Sequence, residues 1–143
     1  MSGFNLFVYG TLRSGGGAAG RLSACARIAD ATIGGTLYDI EGRFPALVHY
    51  GTDPVHGEIW RCPADMLLEL DAYEGTATGM FRRIAADVQT VAGESVSCWL
   101  YTAGPALSRQ LTPANRVSGR TWRPRGRDRH TTDREGESAC PST

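Results

Sequence analysis

Glu74 is the residue whose placement departs from the pattern around it. In the segment Pro63–Glu74 it lies one helical turn beyond Leu70 and two beyond Leu67. Its carboxylate therefore falls on the same side as the apolar stripe of Met66, Leu67, Leu70 and Tyr73. It also closes the helix, where partial negative charge on the last carbonyls disfavours an anion. Desolvation and that dipole act in one direction and raise its affinity for a proton. A carboxyl held near neutrality is fitted to take a proton and return it. Spacing alone leaves a structural reading equally open, in which Glu74 pairs with Arg82 or Arg83, or a frayed helix end leaves it in water. Glu69 and Asp71 lack the placement and read as solvent-facing charges.

A second stretch has the composition of a ligand loop. Leu6–Tyr9 is a compact run of strand formers that ends abruptly at Gly10. Glycine there allows a positive φ or the close approach of another group. Thr11, Leu12 and three further glycines at 15–17 follow. A core strand that empties into a glycine-rich loop presents backbone N–H groups to an anion. A structural strand with a flexible turn has the same pattern.

The remaining polar candidates read as structural. His49 and His56 lie in different strands with no cysteine or carboxylate at metal spacing, and no metal site is expected. Ser14 and Ser23 lack the strand–turn–helix context of a serine nucleophile. Asp39 and Glu58 form a carboxylate pair only if the fold unites them. Tyr101, near the end of its strand, is a core residue or a pocket wall.

These residues need elements to hold them. Ala18–Ala29 reads as a short helix or turn through Leu22 and Cys25, and Ala31–Ile40 as one strand with a bulge or close approach at Gly34-Gly35. Phe44–Tyr50 and Val55–Cys62 are further strands, the second with Val55, Gly57, Ile59 and Arg61 on one side. Pro63 suits the first position of the helix and Gly75 its left-handed stop. Arg82–Val91 and Glu94–Tyr101 form a hairpin across Ala92-Gly93. Strands with one good helix make an α+β domain, a small mixed sheet curled or closed with the helix against it.

The length of 143 residues fits one domain with a real core. The 15 basic and 15 acidic residues cancel, which argues against a general nucleic-acid binder. No apolar run reaches membrane-spanning length and no basic stretch precedes an apolar signal core, so a cytoplasmic location is expected. The four cysteines are scattered and read as isolated core thiols. Residues 123–143 carry arginines interleaved with acids and almost nothing apolar, and read as a disordered, solvated tail after a domain at 1–122.

Taken together and in order, the segments resemble the γ-glutamylcyclotransferase-like (AIG2-like) family. The first is Val8-Tyr9-Gly10-Thr11-Leu12-Arg13. Then come Gly35-Thr36-Leu37-Tyr38-Asp39 with Phe44-Pro45-Ala46-Leu47-Val48, and Val55-His56-Gly57-Glu58-Ile59-Trp60. Leu70-Asp71-Ala72-Tyr73-Glu74-Gly75 with Phe81-Arg82-Arg83 follows, then Trp99-Leu100-Tyr101. Val117-Ser118-Gly119-Arg120-Thr121-Trp122 closes the set. The resemblance implies a small mixed β-barrel flanked by short helices, with a pocket at one end. It implies that Tyr9, Gly10, Thr11 and Leu12 bind the α-amino and carboxylate ends of a γ-glutamyl group, with Tyr101 as a further substrate-binding residue. It places the family's acid/base glutamate on Glu74. The implied reaction closes the γ-glutamyl group to 5-oxoproline and releases the amine, with no metal or organic cofactor. Its partner is a small γ-glutamyl molecule, with no nucleic acid and no membrane. The alternative is a module of the same fold that binds a small carboxylate and turns nothing over. Two features depart from the family: Phe81 stands where a tyrosine is usual, and the tail has no counterpart.

Overall fold

The computed structural model describes residues 3–10, 19–117 and 121. The first strand, β1 (Gly3–Val8), organises the rest because both of its faces are apolar. Phe4, Leu6 and Val8 alternate with Phe7, and all four are buried. It pairs antiparallel with β5 (Pro54–Pro63) and parallel with β7 (Ser95–Ala103), where Leu6 lies beside Trp99. β2 (Ala26–Gly34) takes the other edge of β5. β6 (Phe81–Thr90) forms a hairpin with β7 and meets β2 at Ala31 and Thr32. The order β1-β5-β2-β6-β7 closes into a barrel, so these strands leave no unpaired edge. β3 (Thr36–Ile40) and β4 (Phe44–Val48) form a separate two-stranded sheet.

The core has two parts. Phe7, Ile33, Val55, Ile59, Val88 and Leu100 belong to the cluster that fills the barrel, joined by Leu37 and Leu47 from the β3–β4 hairpin. Phe4, Leu6 and Val8 belong to the second, outside β1, with Phe44 of β4, Met66, and Leu70 of the helix α1 (Leu67–Glu74). Leu107 of the short helix α2 (Pro105–Ser108) completes it. Leu70 is 2% exposed. Its burial contributes roughly 2 kcal/mol and fixes how α1 is rotated on the barrel. The result is the α+β fold expected: a small mixed barrel flanked by short helices. No helix among the described residues is long and apolar enough to cross a membrane.

The structure corrects three expectations. Ala31–Ile40 is two strands in two sheets. A Cβ at Gly35 would lie 2.8 Å from both Leu47 Cδ1 and the Val48 carbonyl oxygen. The chain crosses β4 too closely there for any side chain, and the crossing ends β2. The helix is shorter than Pro63–Glu74. Pro63 stays extended because β5 pairs it with Gly3, a 3-10 turn spans Ala64–Met66, and the α-helix begins at Leu67. The cysteines are less isolated than their spacing implies. The Cys25 thiol lies 3.4 Å from Met66 Sδ and its side chain also meets Cys62. That contact ties the segment after the 3-10 turn Ala19–Leu22 to the start of α1. The turn itself replaces the expected helix. Gly75, at φ 73°, stops α1 as expected. The tail after 122 lies outside the described residues.

Candidate active site

The site is built from the last turn of α1. Leu70 turns one face of the helix to the barrel, and Glu74, one turn on, goes in with it to 3% exposure. Its Oε1 is buried and has no hydrogen-bond partner among the described residues. The structural reading of Glu74 therefore fails: no ion pair joins it to Arg82 or Arg83 among the described residues. Burial pushes the carboxyl up to about 8, against an opposing pull from the positive charge of Arg21. The cause is thus the desolvation that the stripe predicted.

Arg83 is committed elsewhere. Its Nε and Nη2 donate to the two oxygens of Asp71 at 2.8 Å and 3.2 Å, and its guanidinium lies 4.2 Å over the Trp99 ring. The Tyr101 hydroxyl donates to Asp71 Oδ1 at 2.6 Å. Burial raises the Asp71 carboxyl, but the bonds from Arg83 and Tyr101 outweigh it and hold it below its ordinary value. Asp71, read from sequence as a solvent-facing charge, is instead the latch that ties α1 to β6 and β7. The signal for it was its position three residues before Glu74, on the same flank of the helix. Asp71→Ala strands the Arg83 charge and the Tyr101 hydroxyl, and is expected to lower stability by about 2–3 kcal/mol in urea unfolding. Tyr101→Phe removes one bond and is expected to cost about 1 kcal/mol. Equal costs for the two would contradict the latch.

The Tyr9 hydroxyl donates to the Tyr101 carbonyl at 2.6 Å and accepts from the Leu47 N–H at 3.1 Å. It therefore joins β1, β7 and β4 at the place where the glycine loop begins. Burial and the Glu74 charge both raise the Tyr9 hydroxyl, and Glu74 raises Tyr101 too. Tyr9, Tyr101 and Glu74 thus lie within electrostatic reach of one another. Gly10 is buried, and an added Cβ would lie 2.7 Å and 2.9 Å from Pro45 Cγ and Cδ. Close approach, rather than a positive φ, is what this glycine provides. Pro45 cannot swing aside, so Gly10→Val must move the end of β1. The expected outcome is a loss of about 1–3 kcal/mol and a raised KM. A melting temperature and KM equal to wild type would remove Gly10 from the cradle. Thr11 and Leu12 lie outside the described residues, as does Ser14.

A cavity of about 430 Å³ opens beside Glu74. Tyr73, Phe44, Phe81, Met80 and Leu107 make it mostly apolar, and Glu41, Arg43 and Gln110 add polar groups. Glu41 holds a left-handed φ of 57° in the β3–β4 turn and lies 3.6 Å from Arg43. Sequence reasoning missed Glu41, Arg43, Gln110 and Arg21, because only the folded hairpin and turns bring them to α1. The other sequence candidates hold up structure. His49 Nδ1 is 2.9 Å from the Gly34 carbonyl, and His56 Nδ1 is 3.3 Å from Thr121 Oγ1. Asp39 accepts from the Gly42 N–H in the hairpin turn, and Glu58 on β5 accepts from Trp60 Nε1.

Comparison with known proteins fits this geometry. An AIG2-like protein from Mus musculus superposes with a TM-score of 0.71 at 26% identity, over 85% of this chain and 89% of its own. A solved gamma-glutamyl cyclotransferase gives 0.60 at 21%, over 71% and 67%. A uropathogenic E. coli-specific protein gives 0.65 at 19%, over 85% and 94%. The last two, at that identity, speak to the fold alone. No curated protein matches the sequence closely. The family model described as gamma-glutamyl cyclotransferase, AIG2-like, matches residues 6–124, and the chain belongs to that family.

Proposed function

We propose that this protein cyclises the γ-glutamyl group of a γ-glutamyl amine or amino acid to 5-oxoproline and releases the amine. The α-amine attacks the γ-carbonyl carbon of its own chain. A ring C–N bond forms, the exocyclic amide C–N bond breaks, and one proton passes from the α-ammonium to the departing nitrogen. Nucleophile and electrophile share one chain, so the protein's task is to fold the substrate into a near-attack shape. Glu74 takes the proton from the ammonium and delivers it to the leaving nitrogen. Backbone N–H groups of the loop Tyr9–Leu12 face the head group and the oxyanion of the tetrahedral intermediate. The Tyr9 hydroxyl is spent on Leu47 and Tyr101, so Tyr9 contributes through its backbone. Tyr101 forms the wall behind Glu74.

The observation that carries this reading is the buried Glu74 carboxyl, with an unpartnered oxygen and a proton affinity near neutrality, beside a cavity. A carboxyl left so exposed to desolvation costs stability and is useful for moving a proton. The test is incubation with a panel of γ-glutamyl amines and mass-spectrometric detection of 5-oxoproline. Stoichiometric 5-oxoproline and free amine are expected. Saturable binding with no 5-oxoproline from any member would support the binding module instead.

A further inference from the structure

The head group that approaches Glu74 carries its α-carboxylate on the same carbon as the α-ammonium. The substrate anion must therefore settle close to the Glu74 carboxylate, and two like charges at such range repel each other. A cation nearby is needed, and neutral backbone N–H groups alone do not supply one.

The charges around the site differ in what they already hold. Arg83 is taken by both oxygens of Asp71. Arg43 lies beside the carboxylate of Glu41. Arg21 has no carboxylate partner among the described residues. Its guanidinium lies flat on the Tyr73 ring, 3.7 Å from the centroid. Tyr73 immediately precedes Glu74, and both line the same cavity. The field of Arg21 also reaches the Glu74 carboxylate. Stacking uses the face of a guanidinium and leaves its N–H edge unspent. The contact of Cys25 with Met66 and Cys62 fixes the segment just beyond this turn, so the fork is placed before any ligand arrives.

We propose that Arg21 binds the α-carboxylate of the substrate, in a subsite made by the face of Tyr73 beside Glu74. The planar fork takes the carboxylate through two parallel N–H bonds while the adjacent ammonium turns to Glu74. This subsite deepens the cyclisation reading and rests on it for the identity of the ligand. Its ligand class is a small α-amino or α-imino carboxylate.

The test is binding of 5-oxoproline against 2-pyrrolidinone, the same ring without the carboxylate. Affinities are measured by calorimetry for wild type, Arg21→Gln, Arg21→Lys and Arg43→Gln. Wild type is expected to prefer 5-oxoproline by about 10- to 100-fold. Arg21→Gln loses the preference, and Arg21→Lys, a point charge without the fork, keeps part of it. Arg21 is exposed, so these variants are expected to fold. The proposal is overturned if wild type shows no preference, if Arg21→Gln keeps it, or if Arg43→Gln loses it instead. Turnover of γ-glutamyl-methylamide is followed separately. A wild-type protein that prefers 5-oxoproline through Arg21 but cyclises nothing would uphold the subsite and sink the reaction.

Discussion

Glu74→Gln lowers the kcat for γ-glutamyl cyclisation about 1,000-fold and changes substrate affinity little. The amide keeps the shape and burial of the carboxyl and cannot carry the proton. The same change raises stability in alkaline solution. Glu74 titrates near 8 in the fold and at its ordinary value of 4.5 in the unfolded chain. The folded state thus binds the proton more tightly, so the group favours folding below about pH 4.5 and loses that contribution as pH rises through 8. Glutamine carries no such dependence. Above pH 8 the variant is expected to be more stable by about 1–2 kcal/mol, less than the full linkage because its buried amide is also short of partners. Melting curves at pH 5 and pH 9 check this: the gain appears at pH 9 and is absent at pH 5. Normal turnover in a folded Glu74→Gln variant would remove Glu74 from the chemistry.

The second large effect is on the pH profile. Proton acceptance needs ionised Glu74, and the free enzyme holds that carboxyl protonated up to about pH 8. kcat/KM is therefore expected to rise about tenfold per pH unit below 8, about 100-fold between pH 5 and pH 7. It falls again once the substrate's own amine is deprotonated, since no proton then remains for the leaving nitrogen. An ordinary carboxylate, ionised throughout that interval, would give a flat response. The residual activity of Glu74→Gln is expected to lack the acid limb altogether. The other groups with an electrostatic hold on Glu74, Tyr9 and Tyr101, are raised by burial and stay protonated through this range. Arg21 stays charged. The limb belongs to one carboxyl.

Much of this was readable in local pattern. β1 announced itself by its apolar run, Gly75 by its place after the stripe, and the β6–β7 hairpin by alternation across Ala92-Gly93. Glu74 was legible because helical periodicity relates it to Leu70, a neighbour one turn away. The rest depended on chain segments meeting at long range. The pairing of β2 with β6 that closes the barrel leaves no mark in either strand's own sequence. The division of Ala31–Ile40 follows from contact with Leu47 and Val48, and the shortening of α1 from the pairing of Pro63 with Gly3. Asp71 has the composition of a surface acid until β6 and β7 bring Arg83 and Tyr101 to it. Arg21 belongs to a turn remote in sequence from Tyr73, and only the folded chain lays one on the other.

The most direct test of the central claim is to observe the proton on Glu74. With glutamate labelled at the side-chain carboxyl carbon, NMR follows each resonance as pH is raised, in wild type and in Glu74→Gln. One resonance titrating near pH 8, and missing from the variant, is the result this account predicts. A wild-type spectrum in which every glutamate has ionised by about pH 5, as ordinary carboxyls do, would contradict it.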